Sequence, residues 1–388
     1  MDVTKSRKVF VSILMIFTSL SSAFADMLEE GRSKFKLLFN FYHQNSDDGN
    51  QVYGDSKKEE VNVVEPMLFI EHQIDENTAI DAHFVFDIWT AASDTKIDAM
   101  TGASGGEPIK GQSRVSGNVG LRKEVNDLSV KGAIGFSSEY DYRSLNASFG
   151  VERSFAKDNF TLGLGFQYYS DEVRLFEDLT PPSTALISEF LPRKILATNI
   201  TASQILTRKD IIQFGATFVQ AKENLESTAS SVVIGGVRES EVMPETRSRY
   251  ALSSKWVHGF NDTLAMNVFY RYYFDQWDLN ANTVRLALLK EINDDEDFLE
   301  FAIRYHDQSS VSFYKDSFSS RSDFMTSDSD LSDFSSYEAS LYLSTNFENQ
   351  SLLSVELDEF TLNSGLTVYK RSNGLIYGYL QTSVGFEF

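Results

Sequence analysis

The last fourteen residues, Leu375 to Phe388, alternate with a two-residue period. Ile376, Gly378, Leu380, Thr382, Val384, Phe386 and Phe388 share one parity, and Tyr377, Tyr379, Gln381, Ser383, Gly385 and Glu387 the other. Successive side chains of a strand point to opposite faces, so one face here is apolar and the other small or polar. A soluble edge strand can alternate in the same way. A long strand that is apolar outward, polar inward and closed by an aromatic terminus is also what a transmembrane β-barrel requires of each segment. Such a barrel demands the same rhythm throughout the chain.

The rhythm recurs. Phe35, Leu37, Phe39 and Phe41 share a face, as do Ile80, Ala82, Phe84, Phe86 and Ile88. Leu128 to Tyr142 reads as one long strand with Tyr140 and Tyr142 outward and Glu139 and Asp141 inward. Phe160 to Tyr168 places its glycines inward, and Leu264 to Asp275 has one wholly apolar or aromatic face. Pro66 interrupts its segment, because proline cannot donate to a ladder. Turn-forming residues near Asn77, Thr207–Asp210 and Gly259–Asp262 are short, whereas residues 91–111, 171–192, 222–246 and 309–333 read as long loops. Thr184 to Leu191 suits a short helix. The count reaches about sixteen strands. The expectation is an all-β, transmembrane, antiparallel up-and-down β-barrel with short periplasmic turns and long extracellular loops. A soluble sandwich of this length would need a linker between two domains, and none is visible.

The N-terminus is consistent with export. Lys5, Arg7 and Lys8 precede an apolar run from Val9 to Phe17, and Ala23-Phe24-Ala25 forms an A-x-A cleavage site. Residues 1–25 are therefore expected to be a cleaved secretory signal peptide and 26–388 a single outer-membrane barrel domain. No later stretch approaches the length of a helical span. The mean hydropathy of −0.25 does not count against a membrane barrel, because lumen-facing residues mask the lipid-facing ones. The 31 Phe and 17 Tyr suit aromatic girdles. The absence of cysteine excludes disulfides, thiolate metal sites and thiol nucleophiles.

The net charge is −21, and becomes −23 once Asp2, Lys5, Arg7 and Lys8 leave with the leader. That balance excludes nucleic acid as a partner. Acidic loops either keep the ends soluble, or bind divalent cations or enrich cations at a pore entrance. By parity, Glu139, Asp141, Arg247, Arg249, Arg271, Asp275, Arg285, Arg304 and His306 face the lumen. They suit either an ion-pair network that holds the wall together or a constriction whose field selects solutes. Among the five histidines only His83 and His306 have clear inward parity, and neither stands beside a serine motif, so no enzyme is expected. No cofactor or metal is expected either. The segment with Asp323, Asp328 and Asp330 lacks the glycine-punctuated spacing of a calcium loop and reads as solvated.

Several stretches together resemble an uncharacterised bacterial outer-membrane family, domain of unknown function 3570. They are Thr101-Gly102-Ala103-Ser104, Ser138-Glu139-Tyr140-Asp141-Tyr142, Gln204-Ile205-Leu206-Thr207, Pro244-Glu245-Thr246-Arg247, Tyr270 to Trp277, Arg304 to Gln308 with Phe313-Tyr314, and Asp330-Leu331-Ser332. The chain departs from that pattern at His306, where the family more often has tyrosine, and at Val219-Gln220-Ala221, which lacks a proline-tyrosine stretch. The resemblance implies an outer-membrane barrel and brings no activity with it. The functional expectation is a porin-like channel for small polar solutes, with a closed barrel serving a periplasmic or surface complex as the alternative. Expected partners are outer-membrane lipid and the barrel-assembly machinery, with Phe388 as the assembly signal.

Overall fold

The computed structural model of the chain describes residues 28–47, 58–91, 112–178, 186–227, 231–293, 297–352 and 355–388. The expected signal peptide, nearly all of the expected loop 91–111 with its Thr101–Ser104 motif, and residues 179–185 of the next expected loop lie outside them. The described strands, in order, are β1 (Ser33–Asp47), β2 (Lys58–Asp75), β3 (Thr78–Ala91), β4 (Gln112–Val125), β5 (Leu128–Ser138), β6 (Tyr142–Phe155) and β7 (Phe160–Val173). Next come β8 (Phe176–Asp178), β9 (Leu186–Ile187), β10 (Leu191–Ile205), β11 (Asp210–Lys222), β12 (Ser231–Ile234), β13 (Val237–Ser240) and β14 (Thr246–Asn261). The chain finishes with β15 (Leu264–Asp275), β16 (Asn280–Glu291), β17 (Phe298–Gln308), β18 (Phe334–Leu352), β19 (Val355–Arg371) and β20 (Leu375–Glu387). Sixteen of these, all but the loop hairpins β8–β9 and β12–β13, form one closed antiparallel barrel in sequence order.

The first and last strands close the ring. β1 pairs with β20 from Lys34 opposite Glu387 to Ser46 opposite Leu375. Beyond the last rung Ser33 and Phe388 exchange backbone hydrogen bonds of 2.9 and 3.1 Å. Phe35 stacks on both Phe386 and Phe388, with ring centroids 5.6 Å apart in each pair. Closure leaves no unpaired edge, and an unpaired edge is not tolerated in hydrocarbon. At the end that carries both chain ends, strands are joined through residues 76–77, 126–127, 156–159, 206–209 and 262–263. The opposite end carries the long connections 174–190, 223–245 and 309–333.

The alternation decides which face is out. Ile134, Leu145 and Leu252 are 69%, 67% and 56% exposed on the outer wall, among many other large apolar side chains. Two belts of outward aromatics bracket this apolar band. Tyr250 lies between Phe218 and Phe274 near the long-loop end, where Tyr305 also meets Tyr337. Phe155 with Phe160, Phe347 with Phe360, and Trp256 mark the short-turn end. From Tyr250 to Phe260 on β14 is ten residues, about 34 Å of strand, or about 26 Å along the axis at a tilt of about 40°. Some inward glycines make room for a neighbour. A Cβ on Gly163 would lie 2.5 Å from the Thr201 hydroxyl, and one on Gly120 would lie 2.7 Å from an Asp81 carboxylate oxygen.

Three expectations need correction. The strand expected from Leu128 to Tyr142 is two strands, because the chain turns at residues 139–141. The turn shifts the parity, so Tyr142 points inward and its hydroxyl donates to Asp171. The short helix expected in Thr184–Leu191 is absent from its described part. Leu186–Ile187 is extended and pairs with β8, and Leu191 begins β10. β4 lies where no strand was expected, with Val115, Val119 and Leu121 outward.

Candidate functional site: the lumen wall and its outer mouth

Register places the inward charges. On β14 to β17 the inward parity carries Arg247, Arg249, Lys255, Arg271, Arg285 and Arg304, against the carboxylates Asp275 and Glu300. On β2 to β7 it carries Glu65, Glu71, Asp81, Asp87, Glu152 and Asp171, against Arg114, Arg122 and Lys131. The first run occupies positions ten to thirteen of the sixteen-strand ring and the second positions two to seven. The two runs therefore face each other across the barrel. The interior has a basic wall and an acidic wall.

Each wall is partly neutralised from within. The best-built pair joins Asp275, at the top of β15, to Arg247. The Arg247 Nε and Nη2 groups donate to Asp275 Oδ2 at 2.8 and 2.5 Å. The same carboxylate accepts from the Tyr273 hydroxyl at 2.7 Å and from the backbone N–H groups of Trp277 and Leu279 at 2.9 and 3.1 Å. Arg247 also lies over the Trp277 ring, 4.2 Å from its centroid. The Asp275 side chain has no exposed surface, so its charge is tolerated because these donors replace water. Arg285 donates to Glu300 at 2.5 Å, and Arg304 lies 3.8 Å from Glu338 on β18. Across the barrel, Asp87 pairs with Arg114 at 2.5 Å, Glu71 with Arg122 at 2.8 Å and Asp81 with Lys131 at 2.7 Å.

Of the nine lumen residues expected from sequence, seven share the basic wall. Glu139 and Asp141 do not join them. They occupy the turn between β5 and β6, at the rim of the acidic wall. Burial there pushes the Glu139 carboxyl up, and its neighbours Asp141 and Asp87 push the same way against Arg114. His306 hydrogen-bonds through Nδ1 to the Thr283 hydroxyl at 2.8 Å and through Nε2 to Gln308 at 3.2 Å, and its ring lies against Phe334. It is a member of the wall's network: the group on its second nitrogen is an amide rather than an orienting carboxylate. Among the described residues no group of carboxylates and histidines is arranged to hold a metal ion.

The outer mouth is more ordered than its composition suggests. The connection 223–245 folds into the β12–β13 hairpin, whose turn Gly235-Gly236 has φ values of +57° and +85°. Two residues at positive φ make the tight turn that matches strand twist, and glycine adopts it without strain. This hairpin packs on the connection 309–333. Val232, Phe318 and Met325 form one small core, and Met243, Trp277, Leu279, Val311 and Leu331 form another that reaches down to Tyr273 on the basic wall. The acidic segment Asp316–Asp333, expected to be solvated, is thus partly interior. Asp328 is enclosed, and Asp330 forms an ion pair with Arg371 at 2.6 Å. Glu241 is also buried; it accepts from the Thr326 hydroxyl at 2.8 Å and from the backbone N–H of Ser227 at 2.5 Å. Burial, reinforced by Asp328, pushes the Glu241 carboxyl up to about 8, and burial with Asp330 pushes Asp328 up to about 6. Arg193 ties this mass to the wall by donating to the backbone carbonyls of Asn224 and Glu226.

Sequence reading missed Glu300, Glu338 and Glu241 as partners, although Glu300 lies four residues from Arg304 on the same parity. The Ile234-Gly235-Gly236-Val237 stretch is a hairpin signal and could have revealed the folded mouth.

The profile of the family described as "Protein of unknown function (DUF3570)" matches residues 21–383. No curated protein matches the chain in sequence. Among solved structures, a bacterial polysaccharide outer membrane secretin is similar at 8% identity and a TM-score of 0.49, over 94% of this chain and 100% of that one. A BenF-like porin from Pseudomonas fluorescens is similar at 10% identity and a TM-score of 0.45, over 92% and 99%. OccK1 from Pseudomonas aeruginosa is similar at 8% identity and a TM-score of 0.41, over 92% and 98%.

Proposed function

The chain belongs to the DUF3570 family, a membership that carries no activity, and we propose from the barrel itself that it is a porin-like outer-membrane protein that passes small polar solutes. The placement in a membrane rests on the outward apolar wall between two aromatic belts, since so much exposed apolar surface is unfavourable in water. The channel reading rests on one observation, an excess of inward cations on one wall and of inward carboxylates on the wall opposite. A network built only for stability would match the two signs on each wall, because each buried charge is cheapest beside its opposite. Unequal walls instead set a field across the lumen. Such a field orders water and favours solutes that are polar or charged over apolar ones of the same size.

A second reading has its own support. The packed mass of residues 223–245 and 309–333 over the mouth suits a barrel closed on its outer side and held as a scaffold. Liposome swelling separates the two. Vesicles containing the purified barrel are expected to swell in isosmotic arabinose and not in a large dextran. Absence of swelling in arabinose, with the barrel correctly folded, would favour the closed scaffold and overturn the channel.

A further inference from the structure

We propose that Arg249 and Arg271, with Tyr273 between them, form a binding site in the lumen for the carboxylate or other oxyanion group of a solute. The proposal deepens the channel reading and rests on the same inward wall. Of the basic-wall arginines, Arg247 and Arg285 each have a close carboxylate and Arg304 has Glu338 within 3.8 Å. Arg249 and Arg271 differ. Among the described residues neither forms a salt bridge or a side-chain hydrogen bond, and the Arg249 Nε is shut off from solvent without a partner. The guanidinium of Arg271 lies 5.4 Å from the centre of the Tyr273 ring. The closest carboxylate on these strands, Asp275, is already saturated by five donors.

Small side chains stand beside Arg271 and Tyr273: Arg271 lies between Ser253 and Thr283, and Tyr273 between Ala251 and Ala281. Arg249 lies between Val219 and the saturated Asp275. Arg249 and Arg271 are four rungs apart, about 14 Å between backbones. One carboxylate therefore engages one guanidinium at a time, and a solute with two can engage both. A guanidinium in a low-dielectric wall without an anion is costly, and its planar fork matches the two oxygens of a carboxylate. In a chain of net charge −21, two cations kept without a salt bridge along one stretch of the wall give an anion a place to stop.

Equilibrium dialysis of the detergent-solubilised full barrel with labelled succinate tests this, with succinamide as the uncharged comparator. The wild type is expected to bind succinate in the millimolar range and succinamide at least tenfold more weakly. Binding should weaken further between 0.05 and 0.5 M KCl. The double variant Arg249→Gln with Arg271→Gln is expected to lose at least tenfold in succinate affinity, and Arg271→Lys, which keeps the charge, to lose less. Heat-dependent gel mobility checks that each variant is folded. Equal succinate affinity in the wild type and the folded double variant, or no binding of succinate by the wild type, would overturn the site. Dialysis needs no open lumen. A barrel that binds succinate and does not conduct refutes the channel and keeps the site; one that conducts without binding does the reverse.

Discussion

Asp275→Asn is the sharpest perturbation of the outer mouth. It keeps the side-chain shape and removes the carboxylate paired with Arg247, which is 7% exposed. Five donors converge on this carboxylate, and two of them, the N–H groups of Trp277 and Leu279, fix the turn that leads into the loop core. Breaking a buried pair from one side costs about 3–5 kcal/mol, because the remaining charge is left without compensation. Asparagine retains one acceptor oxygen, so the lower figure applies, about 3 kcal/mol. At about 1.4 kcal/mol per tenfold, the ratio of docked to undocked mouth falls about a hundredfold. Trp277 reports this directly: it is 3% exposed and its Nε1 donates to the Thr246 carbonyl at 3.0 Å. The chain has three tryptophans, so in a Trp89→Phe, Trp256→Phe background the emission belongs to Trp277 alone. With Asp275→Asn added, that emission should shift to the red at a lower urea concentration, while heat-dependent gel mobility of the barrel is unchanged. An unchanged urea midpoint would refute the reasoning.

Three further outcomes are expected. The folded mouth holds Glu241 with its carboxyl raised from 4.5 to about 8 and Asp328 with its carboxyl raised from 3.8 to about 6. The folded form thus binds more protons than the unfolded one, and stability is fully present below pH 4 and is lost as pH rises toward 8. The Trp277 urea midpoint should be lower at pH 9 than at pH 5, and Glu241→Gln should shrink the difference; equal midpoints in the wild type would contradict the burial of these acids. Phe149→Arg, halfway along β6 on the outer wall, places a charge in the middle of the outward band and should cost about 2–4 kcal/mol in refolding into lipid vesicles, against little loss in a soluble setting. Deleting Phe388 removes a stacking partner of Phe35 at the seam and should slow assembly into vesicles, measured as the rate at which the heat-modifiable band appears.

The barrel was legible because period-two alternation is a local signal that survives wherever one face must be apolar. The closing strand shows it well: every residue read as outward in Leu375–Phe388 does face out, on the same face as Phe35–Phe41 of the strand it pairs with. Parity fails where the chain bends. Between Ser138 and Tyr142 a tight turn on the long-loop side moves Glu139 and Asp141 out of the wall and reverses Tyr142, and the three tyrosine and phenylalanine residues nearby disguise it as continuous strand. The charge cluster was legible for the same reason as the strands, since Arg247, Arg249, Arg271 and Asp275 keep their parity over β14 and β15. Their grouping on one wall was not, because which strands face each other depends on closure of the ring. The folded mouth was hidden by composition: residues 309–333 are rich in serine and aspartate, yet Phe318 and Met325 pack on Val232 of the β12–β13 hairpin, and Val311 and Leu331 pack with Met243, Trp277 and Leu279, partners far apart in sequence.

The central claim is a membrane-spanning barrel with a conducting lumen, and single-molecule insertion into a planar lipid bilayer measures it. The purified, folded protein in KCl should give discrete current steps, with a zero-current potential under a salt gradient that moves toward cation preference when Arg249 and Arg271 are replaced by glutamine. Folded protein that inserts and produces no steps at any voltage would contradict the account.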